Sequence, residues 1–240
     1  MNNPFRSHML PRFTICAGIL GFLLRMWLFS AVDEKGLLPK GHFADIALYI
    51  LSAIVLAILF LSTRKLTPRR VSRQFILLSN TYTYLLGGLG MALNAAFTLS
   101  SSAVKLSWVA TSASLIGTAV MVVVAILYFL GKRIPYGLHV FITVVIALNT
   151  IAQCQVWGSE PQLQNYFFPL LASVLLILTA YCITNVAVKR TMYRHLAFYS
   201  QAALYFSILS LISPQWMFYA GMLFWAAAQI YPCTRFKKKV

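Results

Sequence analysis

Eight apolar runs, each at or near the roughly 20 residues a helix needs to cross a bilayer, dominate this chain and leave it no soluble way to fold. They cover residues 13–31, 43–62, 75–99, 107–131, 138–157, 167–188, 196–212 and 216–230, the last two short but strongly apolar. Inside lipid a backbone finds no water, so only a helix or a closed barrel can cross. The runs lack apolar/polar alternation, which leaves helices. The expected fold is all-α, a polytopic integral membrane bundle of eight transmembrane helices forming one domain over 1–240. Composition agrees, with 60% of residues hydrophobic and 10% charged, against about 25% charged in a soluble domain.

The charges orient the bundle. Twenty Lys and Arg face four acidic residues, a net charge of +16. Arg6 and Arg12 precede the first run; Arg64, Lys65, Arg69, Arg70 and Arg73 fill the second connection; Lys132 and Arg133 the fourth; Lys189, Arg190 and Arg194 the sixth; Arg235, Lys237, Lys238 and Lys239 the tail. The odd-numbered connections hold only Lys35, Lys40 and Lys105, and Arg25 lies inside the first run. Basic loops stay on the cytoplasmic side, so both termini are expected there, in a cell membrane. Expected partners are the lipid bilayer, anionic lipid at the basic cytoplasmic rim, and a second membrane protein. Nucleic acid is excluded, because the cations lie in short connections rather than on a soluble face. The first run reads as an anchor, since an Arg within about 19 apolar residues suits a span better than a cleaved signal peptide.

Polar side chains gather toward the outer side. Asp33 and Glu34 follow the first run, Asp45 lies one turn into the second, and Glu160 sits in the fifth connection. An unpaired Arg25, about 9 Å below the outer end at 1.5 Å per residue, would cost on the order of 2–3 kcal/mol on insertion scales. Asp45 on the adjoining helix is its expected partner, as a hairpin clasp or as the charged wall of a cavity. His42, Asn94, Asn149, Gln153 and Gln155 lie at a similar level, with Asn149 and Gln153 one turn apart on one helix face. Gln162, Gln164, Asn165 and Tyr166 follow Glu160 in the same connection, where Ser159, Glu160 and Pro161 suit a helix start. The expected ligand-binding set is Arg25, Asp33, Glu34, His42, Asp45, Asn94, Asn149, Gln153, Glu160, Gln162, Gln164 and Tyr166. Buried amides also serve simply to join helices.

The inner half offers only Asn80, Asn185, Gln201 and Gln229, each isolated. Gly88, Ala92 and Ala96 form a small-residue stripe suited to close helix contact. Trp27, Trp108, Trp157 and Trp216 cluster near outer ends as an aromatic belt. Cys16, Cys154, Cys182 and Cys233 are scattered singly, which suggests packing rather than a metal site or a disulfide framework. No cofactor motif is present.

Two stretches, "DEKGLLPKGH" at 33–42 and "WGSEPQLQNY" at 157–166, resemble loop signatures of a family of small multi-pass membrane proteins from anaerobic Gram-positive bacteria. The family pattern is an Arg-bearing first helix leading to D-E-K-G-L-L, and a later W-x-S-x-P-Q-L-Q-x-Y loop. The resemblance implies a multi-pass membrane fold and carries no substrate.

Three functional classes stay open. One is binding or transport of a small polar solute through an outward-facing polar vestibule roofed by Gln162 or Gln164. The second is a sensor or partner subunit of a membrane complex. The third is an intramembrane enzyme using His42 with Asp33, Glu34 and Asp45, for which no HExxH or GxSxG motif speaks.

Overall fold

The computed structural model describes residues 9–31, 42–64, 73–100, 107–132, 134–157, 166–188 and 192–229. Among them are eight α-helices: α1 (Met9–Ser30), α2 (Phe43–Thr63), α3 (Arg73–Ser100), α4 (Ser107–Phe129), α5 (Tyr136–Trp157), α6 (Phe167–Ala187), α7 (Tyr193–Leu209) and α8 (Trp216–Ala228), with a 3-10 turn at Ser210–Ile212. No strand occurs among the described residues. Six of the helices, α1, α2 and α4 to α7, are long and apolar enough to cross a membrane. The other two fall short for different reasons. The 28 residues of α3 are ample, but Asn80, Thr81, Thr83, Asn94 and three glycines dilute its hydropathy. At 13 residues, α8 reaches only about 20 Å, against a hydrocarbon core of about 30 Å.

The helices form a closed ring. α3 packs on α4, α4 on α5, α5 on α6, α6 on α7, α7 on α8, and α8 back on α3, while α1 and α2 make a hairpin docked on α7. This makes α7 the central element, and every side chain from Ser200 to Ser210 is buried, as a helix apolar all round requires. The hairpin takes the opposite role: on α2, Ile46, Ile50, Ile54, Phe60 and Leu61 are exposed, a face suited to lipid.

Late residues of odd helices meet early residues of even ones, so the ring has two distinct ends. Asn94 on α3 touches Ser114 on α4, and Gln153 on α5 touches Tyr219 on α8. That end is called the acidic end here, because the connections carrying the chain's acids join there. The opposite, basic end brings Phe60 of α2 against Phe198 of α7.

Close approach is concentrated at one crossing. A Cβ built on Gly90 of α3 would stand 2.6 Å from the Gly221 Cα of α8, so the two backbones touch. The expected stripe is thereby revised. Gly88 faces Met121 and Thr118 of α4, Ala92 is only half-buried and Ala96 is exposed; contact with α8 belongs to Gly90. The reason is that α3 serves two neighbours, and a single four-residue stripe can face only one. At the other glycine that matters, Gly131 (φ 63°) ends α4, with Lys132 N–H donating to Leu127 O at 3.0 Å and Gly131 N–H to Tyr128 O at 3.0 Å. This is a left-handed C-cap that reverses the chain into α5.

Candidate functional site

Hydroxyl groups inside apolar helices are mostly silent here. Thr14, Thr63, Thr143, Thr150 and Thr179 each donate to the carbonyl four residues back on their own helix, which satisfies the donor without any neighbour. Amides cannot be satisfied so simply, since each carries a carbonyl oxygen and two N–H donors. The polar residues that matter are therefore those that reach between helices, and near the acidic end they form a continuous layer.

On one side, Asn94 Nδ2 donates to Ser114 Oγ at 3.0 Å, and Ser114 donates on to Asn149 Oδ1 at 3.4 Å, linking α3, α4 and α5. Thr98 and Thr111 join α3 to α4 at 2.8 Å, a turn nearer that end. On the other side, the Tyr219 hydroxyl of α8 lies 3.3 Å from Gln153 Oε1 on α5, 3.1 Å from Pro169 O and 3.1 Å from Ser173 Oγ on α6. Asn149 and Gln153, one turn apart, connect the two halves along the buried face of α5. Each amide residue of this layer is about 1% exposed. Each also keeps one polar atom buried without a hydrogen-bond partner: Asn94 Oδ1, Asn149 Nδ2 and Gln153 Nε2.

Arg25 closes the layer from α1. The residue is 2% exposed; its guanidinium donates to Leu209 O at 2.6 Å and lies 5.5 Å from the ring centres of Phe29 and Phe168, within the range of cation–π attraction. Leu209 is the last residue of α7, and its carbonyl is one of the acceptors a helix end leaves open. Tyr219 is within electrostatic reach of Arg25. Phe168 in turn stacks on Tyr49 of α2 at 5.7 Å and Phe206 of α7 at 6.2 Å, so the guanidinium is fixed by an aromatic wall.

The expected clasp of Arg25 with Asp45 stands beside these contacts, which take the guanidinium to Leu209 O, Phe29 and Phe168. Asp45 lies in the first turn of α2, half-exposed, with His42 as its electrostatic neighbour. Arg25 is five residues inside the end of α1, about 8 Å deep, and turns inward to α7 and α8. Direction matters more than depth: Trp27 meets His42 and Phe43, so Arg25 and Asp45 lie at similar levels, but the guanidinium is aimed at Leu209 O of α7. His42 is accounted for locally, its Nδ1 accepting from Ala44 N–H at 3.2 Å as the cap of α2 and its ring edge-on to Trp27 at 5.6 Å. Tyr166, half-buried, takes the N-cap position of α6. Asp33, Glu34, Glu160, Gln162 and Gln164, with Ser159, Pro161 and Asn165, lie outside the described residues. Trp27, Trp108 and Trp216 are exposed, as a belt requires.

The basic half is richer than isolated amides. Tyr84 OH lies 3.4 Å from His139 Nδ1, its ring packs on Tyr128 at 5.5 Å and edge-on to Trp225 at 6.1 Å, and Tyr128 bonds Asn80. Gln201, fully buried on α7, has neither amide atom paired. The histidine one turn into α5 and two tyrosines within apolar runs were the available signals for this cluster.

No family model, curated protein or solved structure matches the chain. The fold and site define a multi-helix, membrane-type bundle with a buried polar layer near one end.

Proposed function

We propose that the chain is an eight-span cell-membrane protein with both termini in the cytoplasm, which binds a small polar or zwitterionic solute in the layer between Arg25 and Asn94 and transports it. The observation that carries this reading is the three buried amide atoms without partners, Asn94 Oδ1, Asn149 Nδ2 and Gln153 Nε2, set in one interior layer with a buried guanidinium. Unsatisfied polar groups cost about 1–3 kcal/mol each, and an apolar ring has no structural use for them. A solute with an anionic group toward Arg25 and a donor–acceptor pair toward the amides would satisfy them together. The membrane-family resemblance of the 33–42 and 157–166 stretches supports the same placement, and we propose that the chain belongs with that family.

Sidedness is tested by labelling. In a chain whose native cysteines are replaced by serine, an impermeant maleimide added outside cells is expected to reach Lys105→Cys and Gln162→Cys, and not Arg70→Cys or Lys132→Cys. Modification of the Arg70→Cys site in intact cells would reverse the orientation.

The solute reading is tested with detergent-purified protein heated in the presence of amino acids, betaines and small carboxylates. A binder at 100 times its Kd stabilises by about 2.7 kcal/mol, so the expected result is a saturable rise in unfolding temperature for one chemical class. A flat response across all classes would favour the partner-subunit reading instead.

A further inference from the structure

At the basic end, the last turn of α2 and the first two turns of α7 enclose a groove of about 400 Å³, lined by Phe60, Thr63, Arg64, Arg194, His195, Phe198 and Tyr199. Its floor is aromatic: Phe60 meets Phe198 edge-on at 5.9 Å, Phe198 meets Tyr199 at 5.4 Å, and His195 stacks on Tyr199 at 6.4 Å. Its lip is cationic. The Arg64 guanidinium rests over the Phe60 ring at 4.5 Å, and Arg64, Arg194 and His195 are all exposed. Rings below and guanidinium groups above match one kind of molecule, with an apolar body and an anionic head.

We propose that this groove is a binding site for one anionic phospholipid, with its phosphodiester between Arg64 and Arg194 and its upper acyl segment along Phe60 and Phe198. Three observations favour lipid over a dissolved anion. The volume falls within the range of small-molecule sites, whose walls are mostly apolar with a few placed polar groups. Phe60 and the neighbouring Leu61 are 47% and 60% exposed on the outer face of α2, so the groove is open sideways, where lipid lies. Asp45, the one acid among the described residues, is about 28 Å away along α2. Basic pockets between membrane helices take phosphate head groups, and guanidinium groups hold phosphate oxygens in a fork that ammonium cannot reproduce.

The site also has a structural consequence. α2 packs chiefly on α1 and α7, and a lipid seated here would bridge the free end of the hairpin to the central helix. The hairpin carries Arg25, so lipid at one end would steady the polar layer at the other. This inference does not depend on the solute reading, and its test uses a different ligand.

The experiment is native mass spectrometry of the delipidated full chain in nonionic detergent, titrated separately with phosphatidylglycerol, phosphatidylcholine of the same acyl chains, and inorganic phosphate. Retention of one phosphatidylglycerol at concentrations where the other two are not held is expected. Arg64→Gln/Arg194→Gln should lower that occupancy by about tenfold, the loss of two charge-assisted phosphate contacts, while Lys237→Gln/Lys238→Gln should leave it unchanged. The conservative Arg64→Lys/Arg194→Lys, which keeps charge and fold, should fall between. Equal retention of phosphatidylcholine, full competition by phosphate, equal loss in the tail variant, or unchanged occupancy in the arginine variants would each overturn the site.

Discussion

Replacing Gly90 by alanine is expected to destabilise the bundle by about 1–3 kcal/mol, the usual range for overpacking, and to do so although alanine is the better helix former by about 1 kcal/mol. The added methyl would stand 2.6 Å from the Gly221 Cα, 3.0 Å from the Gly221 nitrogen and 3.0 Å from Met217 O. All three are backbone atoms of α8, so no rotamer change can make room and the helix itself must move. Moving α8 disturbs Tyr219, two residues before Gly221 and inside that contact, and with it the layer joining α5, α6 and α8. Gly221→Ala meets the same crossing from the other side, with Gly90 Cα at 2.5 Å. The two changes together should cost less than their sum, because helices already forced apart have room for the second methyl. Gly137 on α5 is the control: nothing lies within 4 Å of its added Cβ, so Gly137→Ala should hold or raise the unfolding temperature. Thermal unfolding in detergent decides the matter, and a Gly90→Ala protein as stable as Gly137→Ala would remove the crossing from the fold.

That crossing also shows what could be read from the sequence. Helix positions were legible, because lipid imposes length and apolarity on each run separately: α6 begins at Phe167 and α5 ends at Trp157, as expected. Ends set by capping moved by a few residues, α1 beginning at Met9 with Pro11 in its first turn. Which face of a helix meets which neighbour is a tertiary property. The spacing of Gly88, Ala92 and Ala96 marked α3 as a packing helix without distinguishing the α4 side from the α8 side.

The polar layer divides in the same way. Asn94, Asn149 and Gln153 were visible because an amide inside an apolar run must find a partner, and the structure brings all three to the ring interior. Tyr219 and Ser114, which bind them, and Ser173 behind Tyr219 carried no such signal. A serine can satisfy itself on its own helix and a tyrosine ring is ordinary packing, so neither announces a contact across the ring. Arg25 was visible as a cost; its inward turn to Leu209 O and Phe168 depended on α7 lying beside α1, which hairpin topology alone could not reveal.

The layer makes a prediction whose sign separates a site from simple helix glue. Gln153→Met keeps the length and removes both polar atoms of the amide. The lost acceptor is one of three around the Tyr219 hydroxyl, which retains Pro169 O and Ser173 Oγ at 3.1 Å, so this loss is at most about 1 kcal/mol. The lost donor, Nε2, is buried without a partner, and removing it relieves about 1–3 kcal/mol. The protein without solute is therefore expected to become more stable, by about 1 kcal/mol, while any solute-induced rise in unfolding temperature disappears. Tyr219→Phe should behave oppositely, destabilising by about 1–3 kcal/mol, because it leaves Gln153 with neither amide atom paired. Stability lost to gain function is a familiar trade at binding sites, and glue shows no such trade. Unfolding curves of the two variants, with and without the stabilising solute, give the answer: a Gln153→Met protein that melts earlier than the parent would mean the amide holds α5 to α8, and the layer would then be packing.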